Sequence, residues 1–268
     1  MEIEEYNEKQ ALLTAAIVAL ALRFFLPFRN TPITDDGWVS LLSAFFPEVE
    51  RYRRDSARLG RQFYDAQRDK YANTSSRHDV DLAAYKFEWF REAMEPSKKE
   101  MLKPGASESA VSNLALRVAK EVENGGRRTI LRPVQDEEAR DPQVKGWARV
   151  ATGRETCGFC MMMVSRGPVY FSAEDAGLNL NDTSALDLIE EGDEEALNEA
   201  MKRWHPGCDC KVVPVFDRKN WAGRDAYLRA EKLWIEATRG YKGKDALNAL
   251  RRALNDGDVN PRDFSVAA

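Results

Sequence analysis

Apolar residues recur at helical spacing through roughly the first 125 positions of the chain. The most hydrophobic segment is ALLTAAIVALALRFFLPF, Ala11 to Phe28, and its 18 residues just reach the length that spans a bilayer. Arg23 and Pro27 lie within this segment and weaken a transmembrane interpretation. We therefore expect a buried helix that packs against other helices or a partner subunit, with no stable membrane insertion.

The helical pattern continues in three further stretches. The run from Trp38 to Lys70 is amphipathic, and Pro47 predicts a short helix before it and a longer one after it. The segment HDVDLAAYKFEWFREAM predicts another helix with start signals in SSRHD, where His78 is expected to be a surface or capping residue. The next segment, EPSKKEMLKPGAS, is typical of a linker. Apolar residues then recur up to NGG, where glycine favours a left-handed cap; they are Val111, Leu114, Val118 and Val122.

The chain changes character after Arg127. Short β-branched and aromatic runs, bounded by Gly, Pro and Asp, predict strands in TILRPV, GWARVA, PVYF and KVVPVF. The acidic segment ALDLIEEGDEEALNEAMKRW predicts a helical insert, and two more helices are predicted at about residues 223–239 and 244–255. These patterns predict an α+β fold. A helical assembly or docking region, residues 1–125, precedes a Cys- and His-bearing α+β domain, residues 126–268, with short strands and C-terminal helices.

The net charge of the chain excludes binding to nucleic acid through a broad positively charged surface. Lys and Arg number 40 against 44 Asp and Glu, a net charge of −4 in a composition ordinary for a soluble protein. A local excess exists between Arg51 and Lys70, where seven basic side chains accompany three acidic ones, and GGRR follows at 125–128. Such runs are more often a solvated helix face, and this alternative stays open. The residues that would contact double-stranded DNA are Arg51, Arg53, Arg54, Arg58, Arg61, Arg127 and Arg128.

All four cysteines and one of the two histidines lie in two short segments, TCGFC and HPGCDC. Four cysteines are too few for a disulfide scaffold in a chain of 268 residues, and the acidic N-terminal flank is unlike a secretory signal, so a reducing compartment is favoured. The Cys-x2-Cys and His-x2-Cys-x-Cys spacings are typical of ligands to tetrahedral zinc. The candidate metal ligands are Cys157, Cys160, His205, Cys208 and Cys210. One of the last two cysteines is expected to be spare, because zinc takes only four ligands.

Other interpretations of the cysteines are weaker but stay open. They are an unmetallated cluster of buried thiols, disulfides between the two segments, and a redox Cys-x-x-Cys pair. Catalysis is disfavoured, because a catalytic zinc needs an open position and this cluster has surplus donors. A zinc deaminase would also need a His-x-Glu segment, whereas Pro206 and Gly207 follow His205. We therefore expect no enzyme. The alternative function is a nucleic-acid-processing enzyme or toxin-like domain that uses the Cys/His cluster.

The order of these motifs resembles that of phage minor head proteins similar to Mu F protein, in the form common among actinobacterial phages. The segments that carry the likeness are RRTILRPVQDE, GWARVATGRETCGFCMMMVSRGPVY and WHPGCDCKVVPVF, within residues 127–216. The matching positions are Trp147, Arg149, Val150, Cys157, Phe159, Cys160, Arg166, Gly167, Tyr170, His205, Cys208 and Cys210. The helical N-terminal half resembles that family only in its general sequence pattern.

The resemblance implies a virion component that is present in few copies and recruited with the portal during head assembly. Its expected partners are the phage portal and/or the major capsid protein, with double-stranded DNA as a further contact. It would lie in the head interior or at the portal vertex after assembly in the host cytoplasm, and it would act in genome packaging or delivery. A structural zinc would suit a particle that must survive outside a cell, because ligand binding adds to folding stability.

Overall fold

The computed structural model describes most of the chain. The described residues are 1–73, 84–135, 139–152, 157–170, 204–208, 210–256 and 259–266. His78 and nearly all of the predicted acidic helix lie outside them. Within the described residues the fold is α+β, with helices concentrated in the N-terminal half, as the sequence predicted.

The described N-terminal half is built from four α-helices. They are α1 (Ile3–Phe25), α2 (Asp35–Ala72), α3 (Phe87–Met101) and α4 (Glu108–Gln135). Helix α4 is central, since it packs against α1, α2 and α3. The apolar faces of the four helices close on a shared core in which Phe45, Phe90 and Leu114 are buried. The helical region that the hydrophobic spacing predicted is therefore a packed bundle.

Two prolines lie inside these helices, at places where the sequence predicted interruptions. Pro47 lies within α2, so the predicted break there is wrong. Pro96 lies within α3, and the predicted linker begins only after Met101. A proline removes one N–H from the helical ladder but leaves the burial of its neighbours intact. In α2 the flanking Phe45 and Val49 are both buried in the bundle core, and this burial outweighs the lost hydrogen bond.

Helix α4 continues through NGG, where the sequence predicted its end, and through TILRPV, where the sequence predicted a strand. The predicted helix end is wrong because the glycines allow close packing against a neighbouring helix rather than capping α4. The predicted strand is wrong because α4 continues through it. A Cβ added at Gly125 would lie 2.4 Å from the backbone oxygen of Arg53 in α2. Beyond the glycines, Ile130 and Val134 are buried in the core that contains the sheet. Residue 125, the predicted limit of the helical region, thus lies inside α4.

In the described chain, three short strands form an antiparallel sheet in the order β2-β1-β3. They are β1 (Gly146–Val150), β2 (Val169–Tyr170) and β3 (Lys211–Val215). The central strand pairs Ala148 with Val213 of β3. Every residue of β1 and β3 is buried, because α4 packs against both strands and α2 packs against β3. The strands predicted in these three segments are confirmed.

The remaining described α-helices form a small layer that contacts β1. Helix α5 (Gly158–Val164) lies between β1 and β2 in the sequence, and α6 (Arg224–Ala237) and α7 (Gly243–Asn255) follow β3. Both C-terminal helices pack on α5, and these contacts bury Met161, Ala230 and Leu250. The predicted C-terminal helices are confirmed.

Helix α1 is buried on one side only. Ile17 and Ala21 are fully buried, whereas Leu12 on the other side is 66% exposed. By length and composition alone, the segment Ile3–Asn30 could cross a membrane, since an 18-residue window within it has a mean hydropathy of 2.1. The predicted packing against other helices therefore accounts for one face of α1, and no described part of the chain covers the other.

Hydrogen bonds from polar side chains connect α1 to the other helices of the bundle. Gln10 donates a hydrogen bond to the Ser56 carbonyl of α2 at 3.1 Å, and Thr14 donates to the Glu123 carboxylate of α4 at 2.9 Å. Removing α1 from the bundle would leave these polar groups without their partners, which is costly for groups away from water. These bonds therefore favour a bundle helix over a membrane span.

A buried ion pair fastens α2 to the segment that leads into β1. Arg68 Nε donates to Asp141 Oδ2 at 2.5 Å, and the Tyr64 hydroxyl donates to the same oxygen at 3.0 Å. Burial opposes ionisation of Asp141. These two bonds and one from the Gln143 N–H outweigh it and hold the pKa of the carboxyl below its ordinary value. Buried polar contacts thus join the helical bundle to the strand-bearing part of the chain.

Candidate metal centre

Helix α5 presents the first pair of ligands. Cys157 is its N-cap residue, and the Cys157 Sγ accepts a hydrogen bond from the Cys160 N–H. An N-cap side chain and the side chain three residues later lie on the same side of the first turn. The Cys-x2-Cys spacing therefore turns both sulfurs toward one point, as a metal-binding turn requires.

A tight loop before β3 presents the other three donors. The Cys208 N–H donates to the His205 carbonyl, and Gly207 between them has a φ of +77°, which glycine adopts without strain. Cys210 is the residue immediately before β3 and is fully buried. Strand β1 leads toward α5 and pairs with β3, so the two ligand segments lie side by side.

The five donor atoms form one cluster with Cys160 at its centre. His205 Nε2 lies 3.3 Å from Cys157 Sγ and 3.5 Å from Cys160 Sγ. Cys160 Sγ lies 3.4 Å from the sulfurs of Cys208 and Cys210, which are 3.0 Å apart. Two groups of three donors therefore share Cys160. The structure brings together all five residues that the sequence spacing indicated.

The sulfur–nitrogen distances of 3.3 and 3.5 Å fit a bound zinc ion, whereas the sulfur–sulfur distances of 3.0–3.4 Å are shorter than those on zinc, so the sulfurs would move apart to hold an ion. With Zn–S and Zn–N bonds of about 2.3 and 2.1 Å, two sulfurs on tetrahedral zinc stand about 3.8 Å apart, and a sulfur and a nitrogen about 3.5 Å apart. All four cysteines are free thiols, so this structure adopts none of the disulfides considered above. His205 Nδ1 bonds the Pro206 carbonyl at 2.9 Å, which leaves Nε2 for an ion. The Cys/His groups are thus close enough to bind a metal.

Hydrogen bonds within the cluster favour the thiolate, the form of cysteine that binds metals, in Cys157 and Cys208, whereas the pKa values of Cys160 and Cys210 are raised. Hydrogen bonding with Cys160 lowers the pKa of Cys157 to about 5. The pKa of Cys208 is also lowered, chiefly by hydrogen bonds with Cys160 and Cys210. Burial opposes both shifts, and the positive charge of Arg127 supports the second. The cluster therefore offers one ionised sulfur from each ligand segment.

Buried cations line the cluster on the side of α4 and the sheet. Arg127 Nη2 donates to the carbonyls of Cys208 and Cys210 at 2.9 and 3.3 Å. Arg149 Nη1 of β1 lies 3.8 Å from Cys210 Sγ. The Trp204 ring packs near both guanidinium groups. Positive charge beside thiolates stabilises their ionised form, so these surroundings favour a metal with several sulfur ligands.

The arginines predicted to contact DNA do not form one exposed surface. Arg53 and Arg127 are buried, and Arg53 donates to the Glu121 carbonyl of α4, which corrects the expectation that these side chains face solvent. Buried guanidinium groups cannot reach a phosphate. Arg61 is mostly covered and pairs with Asp65. The members that stay exposed are Arg51, Arg54, Arg58 and Arg128.

Sequence reasoning missed three residues beside the cluster, namely Glu123, Trp204 and Lys211. Glu123 accepts from Arg127 at 2.8 Å and from Lys211 at 3.1 Å, and all three side chains are buried. Glu123 precedes Arg127 by four positions on a helix, the spacing of an ion pair, so a local signal existed for this residue. Lys211 gave no such signal, because it opens a strand of otherwise buried apolar residues.

Comparison with known proteins identifies the family. The family described as VG15 protein matches residues 1–236. This chain belongs to the VG15 protein family. Gene 15 protein of Mycobacterium phage L5 is 42% identical over 296 residues, which covers the whole of both chains. Gene 15 protein of Mycobacterium phage D29 is 40% identical over 277 residues, which covers 96% of this chain and all of the relative. No solved structure matches the chain.

The VG15 match extends from α1 almost to the end of α6 and includes all five donors of the cluster. The two relatives are mycobacteriophage proteins, so the phage origin implied by the motif order is confirmed. The names of these relatives state no role in the head or at the portal. The finer resemblance to minor head proteins similar to Mu F protein therefore rests on the motif order alone.

Proposed function

We propose that this VG15 family member is a phage minor head protein, associated with the portal, that assists head assembly and genome packaging or delivery. One observation carries the proposal: a phage protein presents a long apolar helix with one face uncovered. Soluble proteins rarely leave a contiguous apolar surface in water unless it is an interaction site. A larger assembly that covers this face accounts for it, and the portal is the partner that the motif resemblance implies.

The uncovered apolar face lies in the middle of α1, because the exposed positions before Leu12 are charged and exposed Arg23 follows it. Its exposed apolar residues are Leu12, Ala15, Ala16, Ala19 and, in the turn after the helix, Leu26. Only 17% of the most apolar part of this segment is buried. Covering apolar surface contributes about 25 cal/mol per Å², so a partner that covers this face gains affinity without any charge pairing. Small alanine side chains would also let a partner helix approach closely.

The metal centre is proposed to be structural. Zinc would be held by Cys157, Cys160, His205 and one of Cys208 and Cys210, and it would join α5 to the start of β3. A complete set of protein ligands leaves no position for a substrate, so such a centre contributes folding free energy rather than catalysis. This stabilisation suits a virion component that persists outside the host.

A nucleic-acid-processing enzyme or toxin-like domain that uses the Cys/His cluster is the competing function. The surplus of donors disfavours it, because a catalytic metal needs a position open to substrate. Copy number in purified particles separates the two functions. A structural component stays with the heads at a fixed stoichiometry, whereas an enzyme need not be retained in them.

Replacing both Leu12 and Ala16 by lysine should remove the protein from heads while leaving its fold intact. Both residues lie on the uncovered face of α1, so lysines there stay solvated in the free protein. At a portal interface the same charges would be buried without partners, which is strongly unfavourable. The measurement is quantitative mass spectrometry of heads from cells in which the variant complements a phage lacking the gene.

The matched control is Ile235→Lys, because Ile235 is 57% exposed on a different helix, α6. This variant should enter heads at the wild-type copy number. Circular dichroism of both purified variants checks that the fold is retained. Heads that contain the α1 variant at normal stoichiometry would contradict the docking role of this face.

A weak contact with double-stranded DNA is proposed for the exposed arginines of α2 and α4. Substituting Arg51, Arg54, Arg58 and Arg128 by Gln should remove gel retardation that falls steeply with salt, because phosphate contacts release counterions. The three on α2 each pair with an acidic neighbour, so binding is expected to be weak. Lys232→Gln, at an exposed position of α6, is the control. Absence of retardation by the wild type at low salt, or retardation insensitive to salt, would refute the contact.

A further inference from the structure

Arg127 lies at the junction of α4 and the loop that carries the second group of metal ligands. It is only 2% exposed. Its Nη2 donates to Glu123 at 2.8 Å and to the carbonyls of Cys208 and Cys210 at 2.9 and 3.3 Å. One end of the guanidinium group therefore links a carboxylate of its own helix to both cysteines of the Cys-x-Cys segment.

We propose that Arg127 is a positioning residue for the metal centre. This inference rests on the proposal that the Cys/His cluster binds a metal. The backbone positions of Cys208 and Cys210 decide which of their two sulfurs can join Cys157, Cys160 and His205 on one ion, so a group that holds both carbonyls sets the geometry of the ligand loop. Arg127 holds the carbonyls of both residues, and the two sulfurs lie 3.0 Å apart.

The charges around Arg127 support the same role. Glu123 is shared by Arg127 and Lys211, so these three buried groups of the described chain carry two positive charges and one negative charge. A buried excess charge is costly unless a neighbouring charge compensates it. Zinc bound by three thiolates and one neutral imidazole has a net charge of −1, the sum of +2 and −3. The excess positive charge of this group, together with that of buried Arg149 beside Cys210, therefore favours a negatively charged centre.

Arg127→Met should weaken metal binding by about 10- to 100-fold, the range found when outer-shell partners of metal sites are removed. Cobalt(II) is the probe, titrated into metal-free, full-length protein in competition with a chelator. Its d–d and sulfur-to-metal charge-transfer absorption reports the ligand geometry. We expect both the affinity and the spectrum at saturation to change. Arg128→Gln, at the exposed neighbouring position, is the matched control and should keep both.

Arg127→Lys provides a second variant, because lysine keeps the charge but its side chain is one bond shorter and ends in an ammonium group rather than a planar guanidinium group. It should recover part of the cobalt affinity but not the wild-type spectrum. If Arg127→Met does not fold, this variant alone tests the role of Arg127. Wild-type affinity and spectrum in either folded variant would overturn the role of Arg127, even if its melting temperature fell. A wild-type protein that binds no cobalt would instead overturn the metal proposal itself.

Discussion

Replacing Cys160 by serine should abolish metal binding and destabilise the protein more than any other single change at the cluster. Its Sγ lies within 3.5 Å of His205 Nε2 and of the sulfurs of both cysteines before β3, so it belongs to both groups of three donors. Structural zinc supplies on the order of 10 kcal/mol of folding free energy in small zinc peptides. We expect a smaller loss, on the order of 5 kcal/mol, because the buried core around β1 and β3 does not depend on the metal.

This loss should reach the helical bundle through α4. The helix spans residues 108–135, and its Arg127 bonds the ligand loop directly. Hydrogen exchange should therefore rise in α5, in the ligand loop and in the C-terminal turns of α4, while α3 stays protected. Zinc content and thermal unfolding, measured with and without a chelator, give the size of the effect.

The same measurements on Cys208→Ser and Cys210→Ser identify the spare sulfur, since replacing it should leave one zinc per chain. Met162→Leu is the control on α5, because it conserves volume and removes no donor. Unchanged melting and proteolytic resistance in Cys160→Ser, with and without chelator, would contradict a structural metal.

The elements that could be predicted from the sequence are those whose signals are local. Apolar spacing predicted the bundle helices, and β-branched runs between Gly, Pro and Asp predicted all three strands. The end of α4 could not be predicted in this way. Gly125 and Gly126 carry the local signal of a helix cap, and only the presence of α2 against them shows that they serve packing. Pro47 is a similar case, since burial around it decides its effect.

The candidate site also has a part that could be predicted from local sequence signals and a part that could not. Its donors could be predicted, because two ligands close in sequence impose a short spacing on any metal site. The groups around the donors could not, because burial depends on the whole fold. Arg127 and Arg128 are adjacent and chemically identical in the sequence. One is buried against the metal-ligand loop and the other is exposed, because successive side chains point about 100° apart around a helix such as α4.

A leucine in place of Gly125 should force α2 and α4 apart. A Cβ at this position would lie 2.4 Å from the backbone oxygen of Arg53, and one at Gly60 would lie 2.7 Å from the backbone oxygen of Gly126. Because these obstacles are backbone atoms, no change of rotamer relieves the clash. Leucine gains about 1 kcal/mol of helix propensity over glycine, whereas overpacking costs about 1–3 kcal/mol and occasionally more. A whole leucine side chain inserted between two backbones should cost an amount at the upper end of this overpacking range. We therefore expect the free energy of unfolding to fall by about 2 kcal/mol or more.

Gly125→Leu should also weaken metal binding, although residue 125 touches no donor. Arg127 follows two positions later on the same helix, and a shift of α4 away from α2 would move its guanidinium group off the carbonyls of the ligand loop. Urea unfolding and the cobalt titration measure the two effects. Ser112→Leu, at an exposed position of α4, is the control and should change neither. A Gly125→Leu protein with wild-type stability would show that α2 and α4 do not cross at these glycines. Lost stability with unchanged cobalt affinity would show that the ligand loop keeps its geometry independently of α4.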